Sequence, residues 1–78
     1  MDKGYQDYYR RLGLNIAYFR KMRGLTQAEL GEKIGIDQTH LSKIEVASIG
    51  LSLDVLFALS KALDISPDKL LGQLLLSE

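Results

Sequence analysis

The chain has 78 residues with no cysteine and a single histidine, and 46% of its residues are hydrophobic and 26% charged. This composition indicates one globular domain over residues 1–78 and excludes a disulfide framework, a thiolate metal site and a multi-histidine metal centre, so we expect no metal and no cofactor. Ten basic and ten acidic residues give zero net charge, which argues against binding polyanions through charge alone.

The first segment, about residues 6–23, repeats apolar residues every three or four positions, which is the period of an α-helix. These positions are Tyr5, Tyr9, Leu12, Ile16 and Phe19. Gly13 weakens this helix, and close packing against another element is the expected compensation. Gly24 follows Arg23 and suits the left-handed residue that ends many helices.

A second helix is predicted to open at Thr26 and to stop at Gly35. The Thr26 hydroxyl can accept a hydrogen bond from a free backbone amide, and Glu29 three positions later completes a capping box. Gly31 lies inside this helix, where it costs roughly 1 kcal/mol relative to alanine. A close approach of the neighbouring helix is the expected reason for Gly31.

Asp37 is a good N-cap for a third helix that runs through about residue 45. Two short helices joined by a turn form a helix-turn-helix over about residues 26–45. The positions that must face the core are Leu30, Ile34, Ile36, Leu41 and Ile44. Gly35 allows the backbone a positive φ angle in the turn.

Two more helices complete the chain. Ser52 is predicted to cap a helix over about residues 52–63, with an apolar stripe at regular spacing. The stripe comprises Leu53, Val55, Leu56, Leu59, Ala62 and Leu63. Ser66 followed by Pro67 is a strong start signal for a last helix over about residues 67–75. No segment alternates like a strand, so the predicted fold class is all-α with five helices.

The segment GLTQAELGEKIGIDQTHLSKIE, residues 24–45, resembles the Cro/Xre-type helix-turn-helix regulators, which include phage repressors and restriction–modification controller proteins. The similarity extends over about residues 12–71. The resemblance implies a lambda-repressor-like bundle of five helices and a bacterial or phage transcriptional regulator, such as a repressor. It also implies binding to double-stranded DNA at a palindromic operator as a homodimer.

By position, the resemblance implies that Gln38 and Thr39 read DNA bases and that His40 and Lys43 also face the groove. It places Gln27 on a DNA phosphate. The residue types agree with these roles. Glutamine can pair with adenine, lysine with guanine, and a threonine methyl can contact the thymine methyl.

The resemblance further implies a partly buried ion pair between Arg20 and Glu45. Ser42 shares the outward face of the third helix and is a candidate for phosphate contact. Arg10 and Arg23 are further phosphate candidates, because basic side chains supply most of the affinity for the DNA backbone.

Relatives usually carry a basic loop after the third helix, but residues 46–51 contain no basic residue. The last helix is too apolar for a free surface, and part of it must close the core. The remainder predicts an interface between two copies, with help from the loop. The predicted dimer residues are Leu70, Leu71, Leu74, Leu75 and Ile49.

Two other functions remain open on the sequence alone. The chain could be an antitoxin that covers a toxin and represses its own operon, or a protein-interaction adaptor on the same fold. A contact with RNA polymerase is also compatible with a regulator. An enzyme is not expected, because no nucleophile–base set, carboxylate pair or phosphate-binding loop is visible. No apolar run approaches the ~20 residues of a membrane helix, and no secretory signal is visible at the N-terminus, so we expect a cytoplasmic protein.

Overall fold

A computed structural model describes residues 3–72. Within these residues it contains a short 3₁₀ turn, Lys3–Tyr5, and five α-helices but no strand. The helices are α1 (Gln6–Met22), α2 (Gln27–Ile34), α3 (Gln38–Glu45), α4 (Leu53–Leu63) and α5 (Pro67–Leu71). The all-α class and the five helices predicted from the sequence are confirmed. The predicted extension of the last helix to residue 75 lies outside the described residues.

Helix α2 begins and ends at the residues predicted from the sequence, Thr26 and Gly35. Thr26 Oγ1 accepts from the Glu29 backbone amide at 3.0 Å, and Glu29 Oε1 accepts from the Thr26 amide at 2.8 Å. This reciprocal pair is the capping box. Gly35 ends the helix with φ +81°, a conformation that favours glycine.

The starts of α3, α4 and α5 differ in how they are capped. Asp37 Oδ1 accepts from the His40 amide at 2.8 Å, and Ser52 Oγ accepts from the Val55 amide at 3.1 Å. Ser66 occupies the N-cap position of α5 but makes no capping hydrogen bond to the backbone. Its hydroxyl bonds the Asp68 carboxyl instead, which lowers the pKa of that carboxyl.

All five helices contribute to one core. Its buried side chains are Leu12, Ile16, Leu30, Leu41, Ile44, Leu56, Leu59, Leu63 and Leu70. Two residues of the predicted stripes are mostly exposed: Tyr5 at 57% and Leu53 at 67%. No helix among residues 3–72 is long and apolar enough to cross a membrane.

The two interior glycines mark close backbone contacts. A Cβ atom at Gly13 would collide with the carbonyl oxygen of Glu45 and would lie 2.8 Å from that of Ile44. A Cβ at Gly31 would lie 2.6 Å from the carbonyl oxygen of Ile36. Close packing therefore explains both glycines, although Gly31 meets the turn after α2 rather than α3 itself.

A buried amide fixes the end of α5. Asn15 is only 2% exposed, and its Nδ2 donates to the carbonyls of Leu70 at 2.7 Å and Gly72 at 2.9 Å. The last carbonyls of a helix have no partner within the helix. Asn15 therefore supplies the hydrogen bonds that a C-terminal cap would otherwise provide, across 55 positions of sequence.

Replacing Asn15 tests the contribution of these two hydrogen bonds to stability. We expect Asn15→Ala to lower the free energy of unfolding by about 1–3 kcal/mol, because two carbonyls lose their donor. Asn15→Asp should cost more at neutral pH, since a carboxylate cannot donate and repels both oxygens. The folded state then favours the protonated form of the introduced carboxyl group, so that deficit should shrink as the pH falls. Urea unfolding at pH 7 and pH 4 measures both effects. A stability loss for Asn15→Asp that is the same at the two pH values would contradict the assignment.

Candidate nucleic-acid interface

Helix α3 is anchored by one face and exposed on the other. Leu41 and Ile44 are at most 2% exposed and pack into the core, and Glu45 is buried beside them. Between these positions the helical repeat turns the remaining side chains outward. The exposed residues are Gln38, Thr39, His40 and Lys43, and Ser42 is half-buried.

The exposed face of α3 offers hydrogen-bond groups suited to the edges of bases. The Gln38 amide can donate and accept at once, Lys43 carries a charged donor, and Thr39 combines a hydroxyl with a methyl group. A protein helix that fits the major groove reads bases with such groups at its N-terminal end. All four predicted base-reading residues are exposed on α3.

Behind α3, a buried ion pair joins it to α1. Arg20 Nε donates to Glu45 Oε2 at 2.7 Å and Nη2 donates to Oε1 at 3.1 Å, so the pair is bidentate. Both side chains are at most 10% exposed. Arg20 Nη1 also donates to the Leu25 carbonyl at 2.9 Å. The structure thus pairs the two residues that the sequence predicted to pair.

The same carboxylate orients the first residue of α2. Gln27 Nε2 donates to Glu45 Oε1 at 2.9 Å. An amide nitrogen carries two hydrogens, so one remains for an outside acceptor such as a phosphate oxygen. Arg20, Glu45 and Gln27 form one connected network that fixes the ends of three helices relative to each other.

The two arginines predicted to contact phosphate are placed differently. Arg23 Nε donates to the Leu63 carbonyl at 2.9 Å and Nη2 to the Asp64 carbonyl at 3.3 Å. Its guanidinium therefore lies at the end of α4, and because Arg23 is exposed, its contact with phosphate stays a prediction. Arg10 pairs with Asp7 at 3.0 Å on the exposed surface, a contact that holds the side chain only weakly.

The loop after α3 is held by a contact that the sequence did not predict. Gln6 Nε2 donates to the Ala47 carbonyl at 3.1 Å, and Ala47 has φ +62°, which is unusual for a residue other than glycine. Nothing in the sequence marks this pair, because the two residues lie 41 positions apart. Val46 is an exposed apolar side chain of the loop, at 68%.

Two predicted dimer residues are not free on the surface. Leu70 is fully buried and closes the core, and Ile49 is half-buried against that core. Leu70 therefore offers no surface to a second copy in this structure, while the interface role of Ile49 stays a prediction. Leu71 is 58% exposed and remains available, whereas Leu74 and Leu75 lie outside the described residues. Within residues 3–72, no group of three or more histidine or acidic side chains could hold a metal ion.

The chain is similar to known helix-turn-helix proteins. A protein-family model described as helix-turn-helix matches residues 16–70. The control protein C.SmaI of Serratia marcescens is 31% identical over 67 residues, which cover 86% of this chain and 80% of that protein.

Solved structures agree in fold. The restriction–modification controller protein C.AhdI from Aeromonas hydrophila has a TM-score of 0.77 at 29% identity. That match covers 80% of this chain and 94% of the C.AhdI chain. The P22 c2 repressor, solved in complex with a synthetic operator, has a TM-score of 0.73 at 38% identity. That match covers 78% of this chain and 92% of the repressor chain.

Proposed function

Because the chain belongs to the Cro/Xre-type helix-turn-helix family of DNA-binding transcriptional regulators, we propose that it reads a palindromic operator as a homodimer, with α3 in the major groove. Its relatives include restriction–modification controllers and a phage repressor crystallised on operator DNA. A regulator of this kind acts where the DNA is, so we place it in the cytoplasm as part of the proposal.

The observation that carries the proposal is the exposed face of α3. Gln38, Thr39 and Lys43 project from a helix whose other face is fixed in the core, so the backbone that carries them is in place before DNA binds. A helix that is already fixed loses little backbone freedom on binding. The amide of Gln27 and the half-buried Ser42 flank this face and are proposed to contact phosphates, while His40 is proposed to face the groove.

A dimer follows from the size of the reading surface. One short helix contacts only a few base pairs, which is too little for a unique site. A two-fold dimer places two copies of α3 in successive major grooves about 34 Å apart and reads an inverted repeat. Leu71, together with Leu74 and Leu75, remains part of the proposed interface. The zero net charge adds little non-specific attraction, so the salt dependence of binding should be shallow.

Selection of binding sites from a randomised duplex pool, at two salt concentrations, tests the proposal. We expect an inverted repeat with half-sites one helical turn apart to be enriched at both. Failure to enrich any sequence at low salt, with protein shown to be folded by circular dichroism, would count against DNA reading and favour a protein partner such as a toxin. Enrichment of a single half-site would count against the dimer.

Two substitutions assign the reading residues. Gln38→Ala and Lys43→Ala should each weaken binding to the selected operator by about 1–3 kcal/mol and relax the preference at one base pair of each half-site. Lys61→Ala is the matched control, because Lys61 is an exposed lysine near the C-terminal end of α4. Titrations on the operator and on single-base variants measure both effects. Equal losses for Lys61→Ala and Lys43→Ala would mean that only overall charge matters.

A further inference from the structure

The exposed face of α3 continues past the last residue of the helix. Val46 follows α3 directly, and its φ of −94° and ψ of 4° keep its backbone close to the helical path. Its amide donates to the Ser42 carbonyl at 3.1 Å, which is the hydrogen bond that one more helical residue would make. The helical repeat therefore also determines the side of α3 on which Val46 lies.

Val46 lies on the same side as the predicted base-reading residues. It follows Lys43 by three positions and Thr39 by seven, and residues at these spacings share one face of a helix. Among residues 38–48, only Val46 has a wholly apolar side chain that is exposed, at 68%. The polar surface proposed to enter the major groove thus ends in one uncovered apolar group.

The backbone around Val46 is held on both sides. The amide of Ala47 donates to the Ile44 carbonyl at 3.1 Å, and the carbonyl of Ala47 accepts from Gln6 Nε2 of α1 at 3.1 Å. A valine side chain has one flexible dihedral angle, and branching at Cβ restricts that angle. Few positions are therefore open to the two methyl groups of Val46.

A single exposed valine is common on protein surfaces and by itself indicates nothing. The position of Val46 beside Lys43 distinguishes it, because this is the part of the chain proposed to face base edges. Residues 46–53 contain no charged side chain, so no strongly hydrated group follows Val46 in the loop. The surface here suits contact with an apolar group of DNA rather than with a phosphate.

The major groove offers one such apolar group. Each base pair presents hydrogen-bond donors and acceptors there, but thymine alone also presents a methyl group, at C5. Valine neither donates nor accepts a hydrogen bond through its side chain, so Val46 cannot pair with a phosphate or with the polar edge of a base. Contact with a thymine methyl would remove apolar surface of both groups from water, which favours binding.

We propose that Val46 recognises the C5 methyl group of a thymine in each half-site, one helical turn of α3 beyond the base that Lys43 contacts. The inference rests on the proposed function, because it requires α3 in the major groove. It adds a residue that determines specificity. Each half-site should prefer a T·A pair at a position that none of the polar reading residues contacts.

Replacing thymine by uracil tests the inference, because it removes only the methyl group. On the operator selected from the randomised pool, each thymine is replaced in turn in both half-sites, and fluorescence anisotropy gives the Kd. One replacement should raise the Kd of the unmodified chain about fifteenfold, or about fourfold for each half-site, and should leave the Kd of Val46→Ala unchanged. On the thymine operator, Val46→Ala should bind as weakly as the unmodified chain binds that uracil operator.

Two control variants separate Val46 from other apolar groups. Thr39 also carries a methyl group, so Thr39→Ser should abolish the effect of uracil at a different thymine and retain the effect assigned to Val46. Leu53 is 67% exposed, nearly as much as Val46, but lies at the start of α4. Leu53→Ala should leave every ratio of the uracil Kd to the thymine Kd unchanged. Circular dichroism checks that each variant is folded.

A modified cytosine gives an independent check, because 5-methylcytosine carries a methyl group at the same C5 position. At the base pair assigned to Val46, replacing T·A by C·G should weaken binding. Methylating that cytosine at C5 should lower the Kd again by about fourfold for each half-site. The gain from methylation should be absent in Val46→Ala.

The outcomes distinguish this inference from the proposed function. If an operator is selected but no thymine in it responds to uracil through Val46, the proposed function stands and the inference is overturned. Equal weakening of the thymine and uracil operators by Val46→Ala would also overturn it, since Val46 would then contact something other than the methyl group. If folded protein selects no sequence at low salt, the proposed function fails and the inference fails with it.

Discussion

Glu45→Ala is expected to lower the free energy of unfolding by about 3–5 kcal/mol, because it leaves a buried guanidinium without its counter-charge. Arg20 is 8% exposed and would keep only the Leu25 carbonyl among its present partners. Gln27 would lose its acceptor as well. A domain of this size has a total stability of roughly 4–12 kcal/mol, so the loss would consume a large share of it.

Urea unfolding followed by circular dichroism measures this effect, and a double variant supplies the control. Arg20→Met combined with Glu45→Leu removes both charges, so it should lose clearly less stability than Glu45→Ala alone. Glu45→Gln keeps the shape and one acceptor and should fall between them. A single variant as stable as the unmodified chain would show that Arg20 is solvated in solution rather than buried.

Gly13→Ala is expected to destabilise the protein by about 1–3 kcal/mol, because backbone atoms that cannot move cheaply occupy the space for the new methyl group. The added Cβ would meet the carbonyls of Glu45 and Ile44. Helix propensity alone predicts the opposite sign, a gain of about 1 kcal/mol. The sign of the change therefore separates a packing role from a defect in the helix.

Ala17→Gly is the control for Gly13→Ala. Ala17 lies one turn further along α1 and is half-buried. Its replacement should cost about 1 kcal/mol through helix propensity. Thermal unfolding of both variants measures the comparison. A more stable Gly13→Ala protein would mean that α1 and α3 can separate freely, and the position of the reading helix would then not depend on this contact.

The sequence by itself determined the helices and most of their ends. Thr26 with Glu29, Asp37 and Gly35 act on backbone groups within a few positions of themselves, so their effects are visible in a short stretch of sequence. The outward face of α3 was predictable for the same reason, because helical periodicity separates its exposed positions from the buried ones. These features depend on local geometry, which a sequence carries directly.

Only the tertiary structure decided which apolar side chains are buried and which groups the long polar side chains contact. Leu53 and Leu70 are both leucines in apolar segments of the sequence, yet Leu53 is exposed and Leu70 is fully buried. The hydrogen bond from Arg23 to the Leu63 carbonyl was likewise not predictable, because it depends on where α4 ends in space.

The hydrogen bonds from Asn15 to Leu70 and from Gln6 to Ala47 could not be predicted from the sequence either. In both, the acceptor is a backbone carbonyl 41 or more positions away. A carbonyl is present at every residue and leaves no mark in the sequence. Only the packing of the helices determines which carbonyls come within reach of a given side chain and which apolar side chains find a neighbour to cover them.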